Sequence, residues 1–91
     1  MRLDKYLKVS RIIKRRSVAN EACSGGRVFV NERLAKPSAE VKPGDIIAIR
    51  FGEHIGRYRV LQVKEVVRKE ETSDLYELIS EDEHVQSERN A

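Results

Sequence analysis

The sequence predicts an α+β fold: two short N-terminal helices packed on a small antiparallel β-sheet, with an additional C-terminal β-hairpin and a disordered acidic tail. Three observations predict it. Apolar residues recur at helical spacing up to Ser24, the period falls to about two after Gly26, and no apolar period remains from Glu81 to Ala91.

The first helix is expected over Arg2 to Val9. Leu3, Tyr6 and Leu7 fall within an arc of about 100° on a helical wheel, with Arg2, Lys5 and Lys8 on the other side. Ser10 to Arg15 form a linker or an extra turn. From Arg16 to Ser24 the apolar Val18, Ala19, Ala22 and Cys23 share one arc, opposite Ser17, Asn20 and Glu21. Gly25-Gly26 ends this second helix, because glycine takes the left-handed C-terminal position without steric penalty.

Strands follow. Val28 and Val30 alternate with Arg27, Phe29 and Asn31, and Lys42-Pro43-Gly44-Asp45 has the chemistry of a tight turn delivering Ile46, Ile47 and Ile49 into a buried strand. Residues 57–67 and 75–79 read as two more strands, an antiparallel pair joined by the polar stretch Arg68 to Asp74. Gly52-Glu53-His54-Ile55-Gly56 lacks the strand-to-helix setting of a phosphate loop and reads as a hairpin loop.

Length and charge narrow the function. Ninety-one residues suit one small domain and leave little room for a catalytic cleft between lobes, which favours binding over chemistry. One cysteine, no apolar leader after Met1 and no run long enough to span a bilayer lead to the expectation of a soluble cytoplasmic protein. The net charge of +3 hides an asymmetry: residues 1–16 carry +6, residues 17–50 carry +1, residues 51–69 carry +3 and residues 70–91 carry −7. A cationic end this dense is a surface for polyanions. The candidate RNA-binding residues are its seven bases, Arg2, Lys5, Lys8, Arg11, Lys14, Arg15 and Arg16. Arg2 and Arg16 open the two helices, so the fold could bring both to one RNA-facing surface; alternatively, either one pairs with Asp4 to hold the helices together. A membrane is the weaker partner, since residues 2–9 offer only Leu3, Tyr6 and Leu7 as anchors and the core needs those.

Other chemistry finds little support. Tyr6, Phe29, Tyr58 and Tyr76 sit at periodic positions that suit a core better than base stacking. Cys23 on the apolar arc reads as a small core residue, and His54 and His84 have no further ligand at metal-binding spacing. No catalytic residues, metal or cofactor are expected. The acidic tail reads as a solubilising extension, with shielding of the basic face or a protein contact as alternatives.

Arg2-Leu3-Asp4-Lys5-Tyr6-Leu7, Arg16 with Ala19, Gly26-x-Val28-x-Val30-Asn31, Lys36-Pro37-Ser38 and Val41-x-x-Gly44-Asp45 together resemble the S4-type RNA-binding domain, also called the alpha-L motif. The resemblance implies an RNA-binding domain over residues 1–50; beyond it, a β extension over 51–80 is expected to complete the sheet, and the loss of apolar period makes 81–91 a flexible acidic tail. Two positions depart from the family pattern. Arg15 stands where Ser or Thr usually caps the second helix, and Glu32 stands where Asn-Gly usually makes a tight turn.

Within the family, the compact stand-alone form is similar to ribosome-associated quality-control factors and to a heat-shock protein that binds stalled large ribosomal subunits. That similarity implies binding to a large subunit carrying peptidyl-tRNA, in contact with ribosomal RNA and tRNA; in isolation a monomer is expected. It also implies support for a partner factor that adds an alanine tail to the nascent chain. A heat-shock-type rescue factor or a ribosome-assembly factor is the alternative among binders. An accessory RNA-binding subunit of an RNA-modifying enzyme is the alternative from another class.

Overall fold

The computed structural model describes residues 1–82. Two α-helices, α1 (Leu3–Val9) and α2 (Arg16–Ser24), precede five strands: β1 (Val28–Val30), β2 (Arg33–Leu34), β3 (Ile46–Phe51), β4 (His54–Val60) and β5 (Tyr76–Asp82). A 3-10 helix, Lys69–Asp74, lies between β4 and β5. All strands pair antiparallel in one sheet of order β2-β1-β3-β4-β5. This is the expected α+β architecture, with the C-terminal pair continuing the sheet.

Leu3, Tyr6 and Leu7 are fully buried, as their shared arc requires, and Ala19, Ala22 and Cys23 bury the matching face of α2. Val18 is a correction: it is 44% exposed, at the margin of the arc rather than in the core. The core is completed from the sheet by Val28, Ile47, Ile49 and Val60, and from the connecting segments by Ile13, Ala35, Val41 and Leu75.

Each helix end shows where its orphan backbone groups go. The Leu3 and Asp4 amides, at the start of α1, donate to the carbonyls of Ala39 at 2.8 Å and Pro37 at 3.1 Å. The Pro37-Ser38-Ala39 segment therefore satisfies the first turn of α1 through backbone carbonyls, in place of a side-chain cap. At the end of α2, Gly26 takes φ +77°, its amide donates to the Cys23 carbonyl and the Arg27 amide donates to the Ala22 carbonyl. This paired closure is the left-handed ending that Gly25-Gly26 predicts. Arg15 precedes α2 in extended conformation with no side-chain cap, the consequence of replacing a hydroxyl by a guanidinium.

Asn31 and Glu32 form the two-residue turn between β1 and β2, at φ +52° and +67°, so the glutamate holds the positive φ that the family pattern assigns to glycine. The Asn31 side chain accepts from the Ile46 amide at 3.0 Å and donates to Asp45 at 3.1 Å, which ties the turn to the start of β3. Gly52 and Glu53 make the turn between β3 and β4, and His54 to Gly56 belong to β4, so the expected loop is shorter than its sequence suggests. At Gly56 a Cβ would stand 2.8 Å from the Tyr58 hydroxyl, so only glycine leaves room for that ring.

The C-terminal pair differs from expectation in its limits. β4 stops at Val60, which pairs with Tyr76 at the start of β5, so residues 61–67 have no strand beside them despite their alternation. The Leu61 and Gln62 amides instead both donate to the Leu75 carbonyl, at 2.8 and 3.2 Å. That carbonyl also accepts from the Tyr6 hydroxyl at 2.7 Å, which joins α1 to the last strand pair. β5 runs beyond the expected 75–79 as far as Asp82, with a bulge opposite Arg57 and Tyr58, because an edge strand needs backbone pairing rather than apolar alternation. The rest of the expected tail, residues 83–91, lies outside the described residues.

Candidate nucleic-acid interface

The seven N-terminal bases divide into distinct settings. Arg2 and Arg16 meet at one carboxylate. Asp4, on the inner side of α1, has a side chain only 3% exposed and accepts from Arg2 Nε at 3.2 Å and Arg2 Nη2 at 3.3 Å. It also accepts from Arg16 Nη2 and from Asn20 Nδ2, both at 3.3 Å. Burial alone would raise the Asp4 pKa, but the hydrogen bonds from Arg2, Asn20 and Arg16 outweigh it and hold the carboxyl below its ordinary 3.8. The two guanidiniums remain about half exposed, 52% and 47%, so each is oriented by the carboxylate and still presents donors to solvent. Pairing with Asp4 and presentation on a common surface thus occur together.

Lys8, Arg11 and Lys14 line a groove of about 290 Å³ at the end of α1. Arg11 sits in the left-handed region, φ +64°, with its amide donating to the Lys8 carbonyl at 3.0 Å. It occupies the position after a helix end where glycine is usual. Arg15 is exposed at the start of α2. Lys5 behaves differently: it is half-buried and its ammonium pairs with Glu65, so its contact is with the protein's own C-terminal half. The Glu65 carboxyl is lowered chiefly by that hydrogen bond and the adjacent Lys5 charge.

The opposite wall of the groove comes from Glu65, Val66, Val67 and Lys69, which the candidate set does not include. Lys69 is the additional cation there, and the one hint of it in the sequence is the +3 charge of residues 51–69.

Cys23 is buried, and burial, with a smaller contribution from Asp4, pushes its thiol up to about 11, leaving it protonated at neutral pH. Burial also pushes the Tyr6 hydroxyl up, with Tyr76 adding to the shift, so Tyr6 serves as a hydrogen-bond donor. Among the described residues no group of three His, Cys, Asp or Glu side chains could hold a metal ion, and no helix is long and apolar enough to cross a membrane.

The chain has relatives among known proteins. The S4 domain profile matches residues 1–47. The chain is 54% identical to the RQC P-site tRNA stabilizing factor of Halalkalibacterium halodurans over 82 residues, covering 90% of this chain and 93% of that protein. It is 53% identical to the protein of the same name from Streptococcus pneumoniae, covering 89% and 92%. Its fold is similar to that of Heat Shock Protein 15 of Vibrio cholerae, with a TM-score of 0.80, 33% identity, and coverage of 100% of this chain and 92% of that one.

Proposed function

Since the chain belongs to the S4-domain family, we propose that it is a non-catalytic RNA-binding adaptor of ribosome-associated quality control. It acts in the cytoplasm as a single copy. It binds the large ribosomal subunit that carries peptidyl-tRNA, contacting ribosomal RNA and that tRNA through the helical face bearing Arg2, Lys8, Arg11, Lys14, Arg15 and Arg16. By holding the tRNA it supports a partner factor that extends the stalled chain with alanine.

The observation that carries this reading is identity above one half, over nearly the whole length, with proteins named for stabilizing a P-site tRNA. The physics of the helical face is consistent with it. Contacts by arginine and lysine to phosphate supply affinity through counterion release, and a surface built of such groups reads RNA by shape and backbone.

The test is sedimentation of the purified protein with large subunits that carry or lack peptidyl-tRNA, together with measurement of alanine tails on a stalled reporter in cells lacking the protein. Preferential binding to loaded subunits, and loss of tails in its absence, are expected. Equal binding to empty subunits with tails unchanged would point to an assembly factor. Co-purification with a single RNA-modifying enzyme, without subunits, would make the protein that enzyme's accessory subunit.

A further inference from the structure

The groove at the end of α1 has two walls from opposite ends of the chain. Lys8, Arg11 and Lys14 come from the helical region, whereas Glu65, Val66 and Lys69 come from the segment that follows β4. Four cations face a single carboxylate, and that carboxylate is already engaged by Lys5. The groove therefore presents a net positive field to whatever enters it. Its volume of about 290 Å³ lies at the small end of ligand clefts, which run from about 300 to 1,000 Å³, and suits a sugar-phosphate unit better than a stacked run of bases. Val66, 87% exposed at the edge, offers an apolar surface to a ribose.

Arg11 is an independent observation in the same place. A non-glycine residue in the left-handed region is strained, because its Cβ crowds the following carbonyl oxygen. The chain keeps a guanidinium there, on the groove, where glycine would relieve the strain.

Resting on the RNA-binding reading above, we infer that this groove seats the sugar-phosphate backbone of the bound RNA, and that Lys69, outside the S4 element, is a phosphate contact on its second wall. The Lys5–Glu65 pair is then a positioning device. It ties residues 65–69 to α1 and compensates the carboxylate that lines the groove. The β extension thus does more than complete the sheet: it supplies half of a backbone-binding cleft.

The test uses large subunits carrying peptidyl-tRNA as the probe and compares the salt dependence of binding for the whole protein and single variants. Lys69→Gln should weaken binding about tenfold and reduce the slope of log affinity against log salt by about one, with the melting temperature unchanged because Lys69 is exposed. Arg11→Gly should give the same loss of slope while melting no earlier than the original protein. Lys42→Gln, an exposed lysine in the turn before β3 that is not among the groove's lining residues, should leave the slope unchanged. An unaltered slope in Lys69→Gln, or an equal loss in Lys42→Gln, overturns the groove while leaving the RNA-binding reading intact. Failure of the original protein to bind loaded subunits overturns that reading itself.

Discussion

Asp4 on α1 and Arg16 at the start of α2 are joined across the helix pair by a 3.3 Å hydrogen bond, and the same carboxylate holds Arg2. The cations that open the two helices are therefore fixed relative to each other by a nearly buried group. This makes each arginine both a support of the fold and a candidate contact for RNA, and an alanine substitution alone does not separate the two.

Removing both arginines should consequently do two things. Arg2→Ala with Arg16→Ala leaves a buried carboxylate with Asn20 alone, at a cost of about 2 kcal/mol, which corresponds to roughly 10 °C in a domain of this size. Adding Asp4→Asn should recover most of that melting temperature without restoring binding to large subunits. Thermal melts and sedimentation on the same three proteins check this, and recovery of both properties together would deny the arginines a role in binding.

Asp4 also gives stability a defined dependence on acid. Its folded pKa is depressed, so its ionised form stabilises the fold; that contribution is fully present above the ordinary value of 3.8 and is lost as pH falls through the lower folded value. The melting temperature of the protein should fall toward that of Asp4→Asn below about pH 4, and the gap between the two should be widest near neutrality. A gap that does not change with pH would exclude ionisation of Asp4 as the cause.

Glu32→Gly should raise stability by about 1 kcal/mol. The position holds φ +67° in a two-residue hairpin turn, where a glycine has no Cβ to strain. A rise in melting temperature of roughly 4 to 8 °C is the expected readout. No rise would mean that the Glu32 side chain makes a compensating contribution.

Binding should weaken steeply with salt. With about four to six phosphate contacts, log affinity should drop by on the order of 3 to 5 units per decade of salt concentration. A nearly flat dependence would show that the cationic helical face is not what holds the RNA.

Much of this was legible in local sequence. The burial of Leu3, Tyr6 and Leu7 follows from helical spacing, and the left-handed Gly26 follows from the pair of glycines. Where local sequence carried no signal, the deciding partner lay far along the chain. Lys5 looks like its basic neighbours in sequence, and its pairing with Glu65, 60 positions later, is set only by the fold. Residues 61–67 alternate like a strand, but β5 begins opposite Val60 and leaves no strand beside them. Lys69 lies in a polar stretch with no motif, and only the three-dimensional meeting of residues 65–69 with the end of α1 makes it part of a cleft. The left-handed Arg11 has no composition signal either, since it stands where a glycine would have announced the turn.

The hydrogen bond from Tyr6 to the Leu75 carbonyl spans 69 positions, and this sets a clock during synthesis. At translation rates of roughly 5 to 20 residues per second, about 3 to 14 s separate the appearance of the first residue from that of the second. Through that interval Leu3, Tyr6 and Leu7 lack part of the surface that finally covers them. The S4 element, contiguous in sequence, therefore matures late: its first helix is among the earliest parts of the chain to be made and among the last to be fully enclosed.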